Sequence, residues 1–280
     1  METSIKDLIE ISHFYGEKKD YVIAGGGNTS FKNEQYLYIK ASGTTLGNIT
    51  EEGFAMLDRE KLNIISQKDY SSDSATREQQ IKEDLFRSSV YPEKNLRPSV
   101  ETSLHNIINY KFVIHTHPTL VNSLMCSQKA NSISRELFGD EALFVGYTDP
   151  GYTLFKKVEK GIAEYHQKFG CDPKIILLEN HGIFVSADNI DEIKNLYSRI
   201  IQKLKSKIKQ EPDLQQLQAN LVIAEVLPAI RMILSENQVK VTRFINNSLV
   251  APYYADKASY EKISSPFIPD QIVYCKAKSL

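Results

Sequence analysis

Two histidines separated by a single residue, His115 and His117, are the first feature of this sequence that could carry chemistry. They lie in the segment KFVIHTHP, which reads as a β-strand ended by proline. Residues two apart in a strand point to the same face, so both imidazoles can converge on one ion. Neutral histidines with further nitrogen or oxygen ligands are a common zinc arrangement. A His-x-His pair by itself, however, is more often structural than metal-binding.

Three further side chains could complete such a site. His181 sits in Asn-His-Gly between two apolar segments, where the alternative is a turn histidine bonded to a backbone carbonyl. Glu101 and His105 lie four residues apart on one face of a predicted helix, although surface helices produce such pairs freely. Because this helix leads into the His-x-His strand, we expect Glu101 to bind the ion in the empty site and to act as a base with substrate. We expect His105 to lie behind the ligands and support them.

Small polar and glycine residues at the ends of segments could bind an anion. The run from Gly25 to Ser30, GGGNTS, offers backbone N–H groups and short donors, and is predicted to follow a short strand. It is neither GxGxxG nor a Walker loop, so a nucleotide is not favoured. Ser42-Gly43 and Ser99, a predicted helix N-cap, supply further donors. Each feature alone could be an ordinary turn.

Together these groups point to one reaction class. A metal would polarise the carbonyl of a phosphorylated sugar while a carboxylate moves a proton. A pocket dry enough to raise the pKa of Glu101 would also make its protonated form accessible.

The elements that must hold these groups follow from hydrophobic spacing. Helices are predicted at residues 1–16, after Thr50 over EEGFAMLDREKL, after Ser99, at 152–169 and at 211–235, with a polar loop at 66–80. Apolar strands lie between the helices. We therefore expect an α/β fold, with a three-layer catalytic domain at 1–210 and a C-terminal helical extension at 211–280 packed on the same domain.

The composition bounds the classes of protein that remain. The 280 residues are 41% hydrophobic and 25% charged, as in soluble globular proteins. The net charge of -1 provides no excess of positive charge that would attract nucleic acid or an anionic membrane. Three widely spaced cysteines without a CxxC pair argue against a disulfide framework. No signal peptide or membrane-spanning stretch is evident, so a cytoplasmic location is expected.

Five motifs in order resemble the class II aldolase/adducin family. These are the glycine loop at 25–30, Ser42-Gly43, the segment from Pro98 to His105, the His-Thr-His-Pro run at 115–118, and Asn-His-Gly at 180–182. The resemblance implies a three-layer αβα sandwich with a central, mostly antiparallel sheet, commonly assembled as a homotetramer. It implies that His115, His117 and His181 bind one Zn²⁺ per subunit, with Mn²⁺ or Co²⁺ as alternatives.

The same resemblance assigns the other roles. Glu101 would be the base and a ligand in the empty site, and phosphate would be held by Gly27, Asn28, Ser42, Gly43 and Ser99. Val100 stands where many sugar-phosphate aldolases of the family carry a second serine, which removes one hydroxyl donor. Tyr147 and Tyr152 lie near the segment that supplies a tyrosine proton donor in the family, and neither is assigned.

The segments 97–102, 115–118 and 151–154 look most like the aldolase region of long bacterial rhamnulose-phosphate proteins. This resemblance implies a truncated or a stand-alone version of that region. The predicted activity is reversible cleavage of a ketose phosphate, of rhamnulose or fuculose 1-phosphate type, to dihydroxyacetone phosphate and an aldehyde. A pentulose-phosphate 4-epimerase is the alternative, although epimerases generally carry Asp at the position of Glu101. A non-catalytic adducin-like module is a third reading, but such relatives lack the metal histidines present here.

Overall fold

A seven-stranded sheet forms the centre of the protein in the computed structural model, which describes residues 2–236 and 238–276. Its strands are β1 Asn28–Lys32, β2 Tyr36–Lys40, β3 Phe54–Asp58, β4 Phe112–Thr116, β5 Leu143–Val145, β6 Ile175–Leu178 and β7 Gly182–Ala187. Their order is β3-β2-β1-β4-β7-β6-β5, and every neighbouring pair is antiparallel except β5 with β6. The predicted α/β class with a mostly antiparallel sheet is confirmed.

Helices cover both faces of this sheet. They are α1 Glu2–Gly16, α2 Arg59–Gln67, α3 Ser74–Arg87, α4 Thr102–Ile107, α5 Thr119–Met125, α6 Ala130–Phe138, α7 Tyr152–Phe169 and α8 Ile190–Lys205. Alternate residues of a strand serve opposite cores: Ile114 packs with α1, α5, α6 and α8, whereas Val113 packs with α4 and α7. A further cluster joins β2 and β3 to α2 and α3. The sheet is thus the middle layer of three, as predicted.

The chain divides into two compact units. The first runs to Lys207 and also includes Phe267–Tyr274, whereas the second covers Ile208–Pro266. The second unit contains α9 Val222–Leu234 and α10 Lys257–Glu261, and a last helix, α11, spans Pro269–Cys275. Residues 267–274, which sequence analysis placed in the extension, thus cluster with the first unit, and the predicted boundary at 210 stays a prediction. Among the described residues, no helix has the length and apolar character needed to cross a membrane.

Pairing between strands changes two of the predicted elements. The glycine run does not follow a strand, because residues 21–27 form turns and β1 begins at Asn28, where pairing with His115 starts. Thr50 does not cap a long helix, since Phe54–Asp58 pairs with β2 and Asp58 caps α2 by accepting from the Glu60 N–H at 2.9 Å. In both cases a neighbouring strand outweighs the local pattern.

The stretches 66–80 and 211–235 also differ from prediction. The expected loop at 66–80 ends at Asp73, whose side chain accepts from the Thr76 N–H and starts α3. Ile81 and Leu85 bury one side of that helix, a pattern that becomes visible only over its full length. In the predicted helix 211–235, the helical part begins at Val222.

Candidate metal centre and active site

The strand β4 carries His115 into the middle of the sheet. His115 pairs with Asn28 on one side and with Phe184 on the other, so the three side chains share one face. The Phe184 ring stacks on the imidazole with centroids 4.2 Å apart, and His115 is fully buried. Its Nδ1 lies 3.0 Å from the carbonyl oxygen of Ile183. A carbonyl oxygen can only accept a hydrogen bond, so in a neutral His115 the proton is on Nδ1 and Nε2 keeps a free lone pair.

His117 continues the same face just beyond the end of β4. Its Nε2 lies 2.9 Å from that of His115, and its Nδ1 lies 2.8 Å from the Asp270 carboxylate. A carboxylate also accepts only, so the proton of a neutral His117 is again on Nδ1. The two Nε2 atoms therefore aim lone pairs at each other. Neither Nε2 then has a hydrogen to donate, so the two atoms cannot form a hydrogen bond with each other. A cation between them would relieve the repulsion.

His181 reaches the same place from the turn between β6 and β7. Asn180 adopts a left-handed conformation with φ of 55°, and the His181 N–H closes the turn on the carbonyl of Leu178 at 3.2 Å. One nitrogen from each of His115, His117 and His181 lies within 4.8 Å of the others, and all three residues are buried. The predicted histidines are thus brought together, and this donor set suits a divalent cation.

Glu101 brings a negative charge to two of the three imidazoles. Its Oε1 lies 3.1 Å from Nε2 of His115 and 3.4 Å from Nε2 of His181, while its Oε2 accepts from Asn28 Nδ2 at 3.0 Å. Burial would raise the pKa of Glu101, but positive charge on the His115 and His181 imidazoles outweighs burial and holds the pKa well below its ordinary value. The carboxyl is therefore ionised here, contrary to the raised pKa considered from sequence.

His105 lies behind the histidine cluster. Its Nδ1 lies 2.7 Å from the Ser30 hydroxyl oxygen, and its ring stands edge-on to Phe184. Burial lowers the pKa of His105 to about 3, so the ring is neutral. Because Phe184 packs on both His105 and His115, His105 supports the wall of the site. Its own Nε2 is buried without a hydrogen-bond partner among the described residues.

A cavity of about 410 Å³ opens beside the imidazoles and the Glu101 carboxylate. Gly25, Gly26 and Gly27 form part of its wall, and Gly27 has a φ of +70°, which favours glycine. Lys40, which sequence analysis did not single out, also lines the cavity. Its Nζ donates to the carbonyl oxygens of Gly25 and Thr44, each at 3.0 Å. This buried cation could have been suspected from its place at a strand end, two residues before Ser42.

The electrostatic setting of Lys40 suits an anionic ligand. Burial lowers the pKa of Lys40 from its ordinary value, while the negative charges of Glu101 and Asp270 act in the opposite direction. An anion entering the cavity would add a further negative charge near this ammonium group. The structure thus contains a local cation for an anion, which the near-zero net charge of the chain does not provide.

All five residues predicted to bind phosphate line the same cavity, namely Gly27, Asn28, Ser42, Gly43 and Ser99. Their side chains are not equally available. Asn28 Nδ2 donates to both Ser99 Oγ and Glu101, so this amide positions other groups. Ser99 lies before α4 and is not its N-cap; its Oγ accepts from the Glu101 N–H at 3.2 Å, which leaves its own proton to donate. Ser42 and Gly43 are exposed.

The last helix of the first unit closes one side of this cavity. Pro269, Asp270 and Tyr274 line it, and Asp270 is only 4% exposed. Tyr147 and Tyr152 do not line this cavity; the Tyr147 hydroxyl donates to Asp149, and the Tyr152 ring packs against Tyr70. Sequence analysis missed Asp270, because no spacing rule links residues 153 positions apart.

Gly182 permits the close approach of the histidines, and alanine at this position should disrupt the site. An added Cβ would lie 2.6 Å from both the His117 ring and the Thr116 carbonyl oxygen. We expect Gly182→Ala to cost about 1–3 kcal/mol of stability through overpacking and to lower metal content. Thermal unfolding and elemental analysis measure these effects. Gly161→Ala in α7, where the added Cβ meets only the Leu143 side chain at 3.2 Å or more, is the control.

Comparison with known proteins identifies the same region of the chain. The family model described as "Class II Aldolase and Adducin N-terminal domain" matches residues 6–203. The L-fuculose phosphate aldolase of Methanococcus maripaludis is 24% identical over 68% of this chain and 87% of its own length. The methylthioribulose-1-phosphate dehydratase of Pseudoalteromonas translucida is 23% identical over 72% of this chain and 92% of its own. These two relatives carry names of different reactions.

A longer relative and a solved structure complete the comparison. The "Uncharacterized oxidoreductase YuxG" of Bacillus subtilis is 24% identical over 97% of this chain but 41% of its own length, so the chain spans about two fifths of that relative. The N-terminal class II aldolase domain of a conserved protein from Thermoplasma acidophilum superposes with a TM-score of 0.61 and 26% identity. That superposition covers 74% of this chain and 94% of the other.

Proposed function

Because the chain belongs to the class II aldolase and adducin family, we propose that it is a zinc-dependent lyase that reversibly cleaves a ketose phosphate to dihydroxyacetone phosphate and an aldehyde. One observation carries the proposal: three histidine nitrogens lie within 4.8 Å of one another, and the Glu101 carboxylate is 3.1 Å from one of them. Imidazole ligands favour zinc over magnesium or calcium. The named relatives support a sugar-phosphate substrate.

His115, His117 and His181 would hold the ion, which would polarise the ketose carbonyl and stabilise the charge that develops as the carbon–carbon bond breaks. Glu101 would take the proton of the substrate hydroxyl at Oε1 as the carbon–carbon bond breaks, and would then return a proton to the carbon that becomes part of dihydroxyacetone phosphate. With its pKa held low by the imidazoles, this carboxylate is a weak base where it stands. The proposed role therefore requires Glu101 to turn from the histidines toward the substrate.

Residues around the cavity would hold the phosphate away from the reacting carbonyl. The backbone at Gly26 and Gly27 allows close approach, the Ser99 hydroxyl has a proton to donate, and Lys40 contributes positive charge. Val100, which is 51% exposed and lines the cavity, supplies no hydroxyl donor there. We therefore propose that the anion is held mainly by the glycine loop, Ser42-Gly43 and Ser99, with Lys40 beside them.

A panel of ketose phosphates tests the proposed reaction. We expect release of dihydroxyacetone phosphate from a ketose 1-phosphate such as rhamnulose or fuculose 1-phosphate. A coupled reductase assay measures this release. Chelation of the metal should abolish this release, and added Zn²⁺ should restore it. No release from any ketose 1-phosphate by metal-loaded protein would contradict the proposal.

The same panel separates the alternatives. Inversion at C4 of a pentulose 5-phosphate would indicate the epimerase, and formation of a dehydrated ketone without carbon–carbon cleavage would indicate the reaction named for the dehydratase relative. Absence of stoichiometric metal would favour a non-catalytic module. Glu101 favours the aldolase over the epimerase, since epimerases of the family generally carry Asp at this position.

A further inference from the structure

The metal centre receives a contact from a segment far along the chain. Residues Phe267–Tyr274 cluster with the first unit, although Ile208–Pro266 before them belong to the second. Cys126 Sγ donates to the carbonyl of Phe267 at 3.5 Å, which fixes the start of the segment. Asp270, only 4% exposed, then places Oδ2 2.8 Å from His117 Nδ1.

The chemistry of this contact determines which nitrogen of His117 is free. A neutral imidazole has one N–H, and an ionised carboxylate can only accept a hydrogen bond. The Asp270 carboxylate therefore holds the proton on Nδ1 and leaves the lone pair of Nε2 directed at His115. For His115, the Ile183 carbonyl does the same at 3.0 Å. The acceptor at Nδ1 is thus a neutral carbonyl oxygen for His115 and a carboxylate oxygen for His117.

Asp270 does not approach from the side on which the cation would sit. It contacts Nδ1, the ring nitrogen remote from the facing Nε2 atoms of His115 and His117. Gly26 makes this approach possible, because a Cβ at Gly26 would lie 2.3 Å from Asp270 Oδ1. The absence of a side chain at Gly26 therefore accommodates the carboxylate, whatever further part the loop has in binding phosphate.

We propose that Asp270 is a positioning residue of the metal centre, which orients His117, fixes its tautomer and strengthens it as a ligand. Carboxylates behind metal-bound histidines act in this way, and their removal typically weakens metal binding or activity by about 10–100-fold. The inference rests on the metal site of the proposed function and adds a residue from outside the region 6–203 matched by the family model.

The affinity for Co²⁺ measures this role without any substrate. The ion is titrated into the metal-free full chain against a competing chelator, and its visible absorption bands report binding and ligand geometry. We expect Asp270→Ala to bind Co²⁺ about 10–100-fold more weakly than the unmodified protein. Asp270→Asn, which keeps an acceptor oxygen without the charge, should fall between the two, since charge-assisted hydrogen bonds are the stronger ones.

Two further variants separate positioning from a general effect on the segment. Gln271→Ala removes the hydrogen bond from the Phe267 N–H within the same segment and should keep the Co²⁺ affinity within about twofold. Gly26→Ala should displace the Asp270 carboxylate and reproduce the weaker binding of Asp270→Ala. The isosteric Asp270→Asn keeps the test valid if Asp270→Ala fails to fold.

The outcomes distinguish this inference from the proposed function. If the unmodified protein binds Co²⁺ and both Asp270 variants bind it equally tightly, the positioning role is wrong while the metal site stands. Equal weakening by Gln271→Ala and Asp270→Ala would also overturn it, because the loss would then come from the segment as a whole. If the unmodified protein binds no Co²⁺, the proposed function fails and this inference fails with it.

Discussion

His181→Ala is expected to lose both the bound metal and the lyase activity. His181 supplies one of three clustered nitrogens and reaches them from a tight turn, so a neighbouring histidine cannot replace it without moving the backbone. Loss of a Lewis acid worth several kcal/mol corresponds to at least about a 10³-fold fall in turnover. Metal content by elemental analysis and dihydroxyacetone phosphate release from the active ketose phosphate measure the two effects.

A surface histidine provides the matched control for this change. His166 lies in the last turn of α7, and its Nδ1 lies 2.7 Å from Asp172, so it is also paired with a carboxylate. His166→Ala should keep the full metal content and turnover. Full metal content in His181→Ala would contradict the assignment of His181 as a ligand.

Glu101→Gln is expected to lower turnover while the metal stays bound. Glutamine keeps the size of the side chain and a carbonyl oxygen for the Asn28 amide, but it cannot accept the substrate proton. Loss of general base catalysis typically costs about 10²–10⁴-fold in rate. The same cleavage assay and elemental analysis are the measurements, and the three histidines should hold the ion in the variant.

The control for Glu101 lies in the turn next to His181. Glu179 accepts from the Tyr147 N–H at 2.8 Å, and Glu179→Gln should leave turnover and metal content close to those of the unmodified protein. Turnover of Glu101→Gln near that of the unmodified protein would refute its role as base. Loss of metal together with turnover would assign Glu101 to metal binding alone.

Parts of the histidine cluster could be predicted from sequence because the geometry within each of its two segments is local. His115 and His117 share a face by strand alternation, and Asn180-His181-Gly182 is a short turn between two apolar strands. The antiparallel register then places Asn28 opposite His115. That register depends on pairing between distant strands, which is why sequence analysis predicts a strand before the glycine run, whereas the strand begins at Asn28.

Lys40 and Asp270 were not singled out from sequence, for two different physical reasons. Lys40 ends a strand of alternating pattern and looks like an exposed strand-end lysine, but the glycine loop folds over it and buries it. Asp270 depends on a segment that returns to the first unit after the whole of Ile208–Pro266. Local periodicity contains no information about such a return. A carboxylate near the C-terminus of this sequence has no recognisable partner until the fold is known.

The return of Phe267–Tyr274 to the first unit also affects how the protein is made. On the ribosome His117 is synthesised 153 residues before Asp270, which at 5–20 residues per second is a delay of roughly 8–30 s. During this interval the nascent chain carries its histidines without the carboxylate behind His117. Metal acquired during translation would therefore meet a different centre from metal acquired after release.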